Sequence, residues 1–175
     1  YGDWSSDVCS SDLPRVFIQD ATAPEGDADG ASLVFQVRLS GPSALPVQVA
    51  YATAGVSASA DDFVATNGVV TFAPGDTNQS VVVFLRGDTV SESNEVLRVV
   101  LSQPVGAVLG DGVAVGTILD DDPLPQVTMA DVTVAQWPGG ATNAVFTATL
   151  SAPSGRRVSV RYATANGTAR AGADY

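Results

Sequence analysis

The chain has no histidine and no lysine, and only one cysteine, one methionine and three glutamates among its 175 residues. Without histidine, and with a single thiol, most acid–base catalysis, thiol catalysis and nitrogen- or sulfur-ligated zinc are excluded. The 8 basic residues are all arginine and face 19 acids, for a net charge of −11. Nothing on such a chain displaces phosphate counterions, which excludes ordinary nucleic-acid binding. No apolar run approaches the ~18 residues of a membrane span, so no transmembrane segment is expected in this stretch.

The first residue is Tyr1 and the last are Ala173-Asp174-Tyr175, without turn or tail composition. These ends lead us to expect a fragment. Asp3 to Leu13 shows neither a period-2 nor a 3.6-residue apolar pattern. It resembles the translation of a synthetic sequencing adapter, so residues 1–13 are set aside as non-native. That reading removes Trp4, Cys9 and three aspartates and leaves an acidic chain with neither disulfide nor redox chemistry.

An offset of 111 aligns the chain with itself: Leu13-Pro14 falls on Leu124-Pro125, Phe35 on Phe146, and Tyr51-Ala-Thr-Ala54 on Tyr162-Ala-Thr-Ala165. Such a long register marks an internal repeat. We expect one complete domain at 14–122 and the first three strands of a second at 123–175, with exposed edges and low stability in isolation. Within the first, β-branched runs separated by Gly, Pro, Asp and Ser predict strands near 15–20, 31–39, 47–53, 67–73, 80–86, 95–102 and 112–119. Leu33, Phe35, Val37 and Leu39 share one face of the second. The expected fold is all-β, an immunoglobulin-like seven-stranded antiparallel β-sandwich followed by an incomplete copy.

In such a sandwich, the loops after strands one, three, five and seven share one end. That end would gather Asp20, Glu25, Asp27, Asp29, Asp61, Asp62, Asp88, Glu92, Glu95 and Asp120–Asp122, leaving only Asp76 and Asp111 at the other. Crowded like charges destabilise the compact state unless they are neutralised. Oxygen donors without nitrogen or sulfur select a hard cation, and six to eight of them suit Ca²⁺ better than Mg²⁺. The bland alternative is a set of solvated acidic loops that keep an apolar sandwich soluble. Acid pairs also occur in glycosidases, but no aromatic platform accompanies these, and no enzyme is expected.

Several stretches together resemble the Calx-β motif: Val-x-x-x-Asp-x(4)-Glu at 16–25, Tyr51-Ala-Thr-Ala54, Asp61-Asp62-Phe63, Val70-Thr-Phe-Ala-Pro-Gly-Asp76, Asp88 to Glu95, and Ile118-Leu-Asp-Asp-Asp122. That module occurs in sodium–calcium exchangers, in an integrin subunit and in large bacterial surface proteins. The resemblance implies a cluster of several Ca²⁺ ions held by Glu25, Asp62, Asp88, Glu92, Glu95, Asp120, Asp121 and Asp122, with the backbone carbonyl of Val90. All three glutamates fall on such positions. In the second copy, Gln136 stands where Glu25 stands, followed by Trp137 and Pro138, which should weaken a site there.

Asp120–Asp122 directly precede Pro123-Leu124-Pro125, the joint into the next repeat. We therefore expect Ca²⁺ to stiffen that joint in a repeat of a larger secreted or cell-surface protein, an adhesin or stalk, at the exterior of a bacterium. Its partners would be neighbouring Calx-β repeats and cell-surface protein or glycan ligands. One alternative is a cytosolic Ca²⁺-sensing module of an exchanger-like membrane transporter. Another is a protein-binding sandwich with incidental metal.

Overall fold

The computed structural model describes residues 13–135, 139–140 and 142–175. Trp4, Cys9, Gln136, Trp137 and Pro138 lie outside the described residues. The chain divides into two compact units, Tyr1–Pro123 and Leu124–Tyr175. No helix occurs among the described residues.

The first unit carries nine strands in chain order: β1 (Arg15–Ile18), β2 (Ala21–Pro24), β3 (Ser32–Leu39), β4 (Val47–Gly55), β5 (Asn67–Phe72), β6 (Asn78–Phe84), β7 (Glu95–Val105), β8 (Val108–Asp111) and β9 (Val113–Leu119). They form a four-stranded sheet, β6-β3-β1-β8, and a five-stranded sheet, β2-β9-β7-β4-β5. Period-2 alternation sends one set of side chains inward from each sheet. Leu33, Phe35 and Val37 of β3, Val81 and Val83 of β6, Val47 and Val49 of β4, Phe72 of β5, and Leu97 and Val99 of β7 are all buried between the two. The sheets approach closely at Gly116, where a Cβ would lie 2.7 Å from the Phe35 ring and 2.9 Å from Leu33.

All seven expected strands are present, and the structure adds two refinements. The first strand stops at Ile18 and resumes as β2 in the opposite sheet, because the chain crosses between sheets at Gln19 and Asp20. The short β8 exists only through its pairing with β1, which no local periodicity announces. Both β1–β8 and β2–β9 are parallel pairs, whereas the remaining ladders of this unit are antiparallel. Between β5 and β6, Pro74-Gly75 makes the expected tight turn: Gly75 has φ +92° and the Asp76 N–H donates to the Ala73 carbonyl at 3.0 Å.

The second unit holds two short strands, β10 (Val127–Met129) and β11 (Ala148–Leu150), paired antiparallel. Phe146 and Tyr162 are exposed, although their counterparts in the first unit, Phe35 and Tyr51, are buried and half-buried. The expected third strand, matching β4, forms no ladder among the described residues. In the first unit β4 hydrogen-bonds only to β5 and β7, and residues 124–175 carry no segment equivalent to either.

Candidate metal centre

Four segments of the first unit converge at one end of the sandwich: the loop after β2, the β4–β5 loop, the β6–β7 loop and the tail of β9. Main-chain hydrogen bonds knit them. The Glu25 N–H donates to the Leu119 carbonyl at 3.1 Å, and the Arg86 N–H donates to the Asp62 carbonyl at 2.9 Å. The N–H groups of Val56, Ser57 and Ala58 converge on the Val96 carbonyl at 3.0–3.1 Å. Gly87 lets two of the loops touch, since a Cβ there would stand 2.0 Å from the Gly26 carbonyl oxygen and 2.8 Å from that of Glu25. A side chain at this position would push the acidic loops apart.

This weave assembles two carboxylate triads. One oxygen from each of Glu25, Asp120 and Asp122 lies within 4.8 Å of the others, and the same holds for Asp62, Glu92 and Glu95. Glu25 is buried, at 7% exposure. Asp122 is half-buried, and its Oδ2 is sealed from solvent with no hydrogen-bond partner. A buried carboxylate oxygen left unpaired is costly, and a bound cation or water would relieve that cost.

The remaining expected residues fall around the triads. Asp88 repels Glu25 and Asp122 of the first triad and Glu92 of the second. Its Oδ1 accepts the Val90 N–H at 2.6 Å, closing a local turn that fixes both residues. Asp121 is exposed, and its Oδ1 accepts the Gly26 N–H at 3.1 Å. Asp120 is oriented from two sides: its Oδ1 accepts the Glu92 N–H at 2.9 Å, and its own N–H donates to Asn94 Oδ1 at 3.1 Å. Asn94 escaped the sequence reading because it carries no charge, although Ser-Asn between two glutamates was a turn signal.

Asp20 corrects the expectation. It does not join the acidic end; its Oδ1 accepts the Val115 N–H at 2.7 Å, well inside β9. The physical reason is the sheet switch, which places Asp20 midway along the sandwich rather than beyond a strand end.

Proton affinities report the crowding. Burial, with the charges of Asp120, Asp88, Asp122 and Glu92, raises the Glu25 carboxyl from its ordinary 4.5 to about 7. Burial also raises Glu95 to about 7, reinforced by its hydrogen bond to Asp62 and by the charges of Asp62, Glu92 and Glu25. Glu92 and Asp122 are raised as well, first by desolvation and then by neighbouring acids. Asp62 moves the other way: burial pushes it up, but hydrogen bonds from Ser59 and Glu95 outweigh burial and hold it below the usual value. Burial and like-charge crowding thus both disfavour the ionised form of Glu25 and Glu95 at this end. A hard divalent cation is the group these all-oxygen donors fit.

Fold and site together define a β-sandwich module with a carboxylate-rich end. The Calx-beta domain model matches residues 10–122 and again 126–175, and the chain belongs to the Calx-beta domain family, whose members are typically non-catalytic. The acidic clusters are consistent with the Ca²⁺ sites of such domains.

Among solved structures, the apo-form Calx CBD1 domain is similar at 27% identity and a TM-score of 0.53, over 63% of this chain and 99% of that one. The calcium binding domain CBD12 of CALX1.1 is similar at 27% identity and a TM-score of 0.57, over 67% of this chain and 50% of that one. The Calx CBD2 domain shares the fold at 13% identity and a TM-score of 0.54. No curated protein matched the chain.

Proposed function

We propose that the first unit binds Ca²⁺ at its acidic end, as one repeat of a larger secreted or cell-surface protein of adhesin or stalk type. The observation that carries this reading is the sealed, unpartnered Oδ2 of Asp122 beside Glu25 and Asp120. Glu25, Asp120 and Asp122 would hold one ion and Asp62, Glu92 and Glu95 another, with Asp88, Asp121 and the Val90 carbonyl completing the ligand set. The cation would supply the positive charge that cancels the repulsion among these carboxylates; the unit does no chemistry on a substrate. Because Asp120–Asp122 lead straight into Pro123-Leu124-Pro125, bound metal would restrain the joint to the following repeat and stiffen a string of domains. Such a string would meet neighbouring repeats in its own chain and protein or glycan ligands on other surfaces.

A second reading is favoured by the likeness to the calcium binding domain of CALX1.1: a cytosolic Ca²⁺-sensing module within an exchanger-like membrane protein. Thermal melting with millimolar Ca²⁺ and with chelator tests the metal claim common to both. Coincident curves contradict it. In the intact gene, flanking membrane spans would select the sensor, and many further repeats the surface protein.

A further inference from the structure

The first two strands of the first unit run parallel to its last two, β1 beside β8 and β2 beside β9. The Val108 N–H donates to the Pro14 carbonyl at 2.9 Å, and Arg15 and Val16 pair with Val108 and Leu109. Beyond the sheet switch, Ala21, Thr22, Ala23 and Pro24 pair with Gly116, Thr117, Ile118 and Leu119. Asp20 fills the gap between the two ladders by accepting the Val115 N–H. At the far end, Glu25 N–H meets the Leu119 carbonyl and Gly26 N–H meets Asp121. Each ribbon therefore crosses once from sheet to sheet, and the Asp20 side chain bridges the two parallel ladders of this seam at the crossing.

Parallel terminal ribbons have a mechanical consequence. Tension on the two ends draws β1–β2 toward its beginning and β8–β9 toward its end, in opposite senses along one axis. The seam is then sheared, and its hydrogen bonds are loaded together. An antiparallel terminal pair would have both ends at one extremity and would open one bond at a time. The carboxylates of Glu25 on one ribbon and of Asp120 and Asp122 on the other face each other across the seam's final turn.

We propose that this seam is a mechanical clamp that resists tension on the two ends, and that a divalent cation held by Glu25, Asp120 and Asp122 staples its end. The staple rests on the metal reading above; the clamp rests on strand direction alone. Asp62 on the β4–β5 loop, Glu92 on the β6–β7 loop and Glu95 at the start of β7 all lie outside the two terminal ribbons, so an ion there adds stability without crossing the seam. Forced unfolding is governed by the unfolding rate rather than by equilibrium stability, which separates the two contributions.

The test holds the full chain by its two ends at constant force in an optical trap and times the opening of the first unit, with Ca²⁺ alone as the probe. At a free Ca²⁺ of ~100 times Kd, opening under force should slow by up to about 100-fold relative to chelator. Asp122→Asn should abolish most of that gain, and Asp62→Asn should retain it. Asp20→Ala should shorten the lifetime under force in both media far more than it speeds unfolding in urea. Asp20→Asn, which keeps an acceptor for the Val115 N–H, should restore the lifetime, and neither Asp20 variant should change calorimetric Ca²⁺ binding.

If Ca²⁺ binds but lifetimes with and without it coincide, the staple is overturned and the metal reading survives. If calorimetry detects no binding, both fall. If the Asp20 variants change lifetimes only as much as they change urea unfolding, the clamp itself is wrong.

Discussion

The N–H of Gly26 donates to Oδ1 of Asp121 at 3.1 Å, joining residues 95 apart in sequence. This bond ties the loop that follows the second strand to the aspartate triplet that ends the domain, and it brings Glu25 against Asp120 and Asp122. Gly26 itself has φ +75°, a left-handed conformation that costs glycine little. The acidic end is thus held together by the chain's own hydrogen bonds.

That geometry makes the thermal response to Ca²⁺ specific. At ~100 times Kd, Ca²⁺ should add about 2.7 kcal/mol to the stability of the first unit. A domain of this size should then melt ~10 °C higher or more, at 4–8 °C per kcal/mol. Asp122→Asn should lose most of that rise, and Asp121→Ala should lose it together with the Gly26 hydrogen bond. Calorimetric scans of the three proteins with Ca²⁺ and with chelator check this.

The dependence on pH follows from the raised glutamates. Glu25 and Glu95 titrate near 7 in the folded chain and near 4.5 when unfolded. Between those values the folded state holds more protons, so metal-free stability should fall as pH rises from about 4.5 through 7. Ca²⁺ must displace the same protons. Its affinity should therefore strengthen up to a pH of about 7 and level off above. Urea unfolding of the metal-free chain across this range, alongside Ca²⁺ titrations in buffers of different ionisation enthalpy, measures both trends.

Gly87 offers a test that alters no carboxylate. In Gly87→Ala the new Cβ would meet the carbonyls of Gly26, Glu25 and Ala28, and overpacking of this kind costs about 1–3 kcal/mol. Because those carbonyls belong to the loop that carries Glu25, Ca²⁺ affinity should weaken along with stability. Urea titration and calorimetry on the one variant suffice.

The opposite end supplies the contrast. Gly75 sits in the Pro-Gly-Asp turn at φ +92°, with nothing within 4 Å of a built Cβ. Gly75→Ala should cost about 1 kcal/mol or somewhat more through backbone strain alone. Its Ca²⁺ affinity should match the parent, as a titration of the variant would establish.

What could be read beforehand had a local signature. Leu33, Phe35 and Val37 declare an inward face by alternation, and they lie inside as expected. Loop order placed twelve acids at one end of the sandwich, and the likeness to the Calx-β motif singled out eight of them as ligands. Six of them form the two triads, and Asp88 and Asp121 stand beside these. The features that escaped are set by pairing across long sequence distances. Asp20 looked like a loop acid because nothing near it announces that the chain changes sheets there. The short β8 has no pattern of its own, and Asn94 and Gly87 matter through neighbours dozens of residues away. In the second unit the repeat was visible in sequence and its first two strands pair, but the third forms no ladder among the described residues without the strands that should flank it.

The central claim is that this acidic end is a calcium site, and calorimetric titration of the chain with Ca²⁺, in parallel with Mg²⁺, tests it most directly. The account predicts saturable binding of more than one Ca²⁺ per chain, much weaker binding of Mg²⁺, and loss of ions in Asp122→Asn and Glu95→Gln. No heat of binding for Ca²⁺, or identical isotherms for the two metals and for both variants, would contradict it.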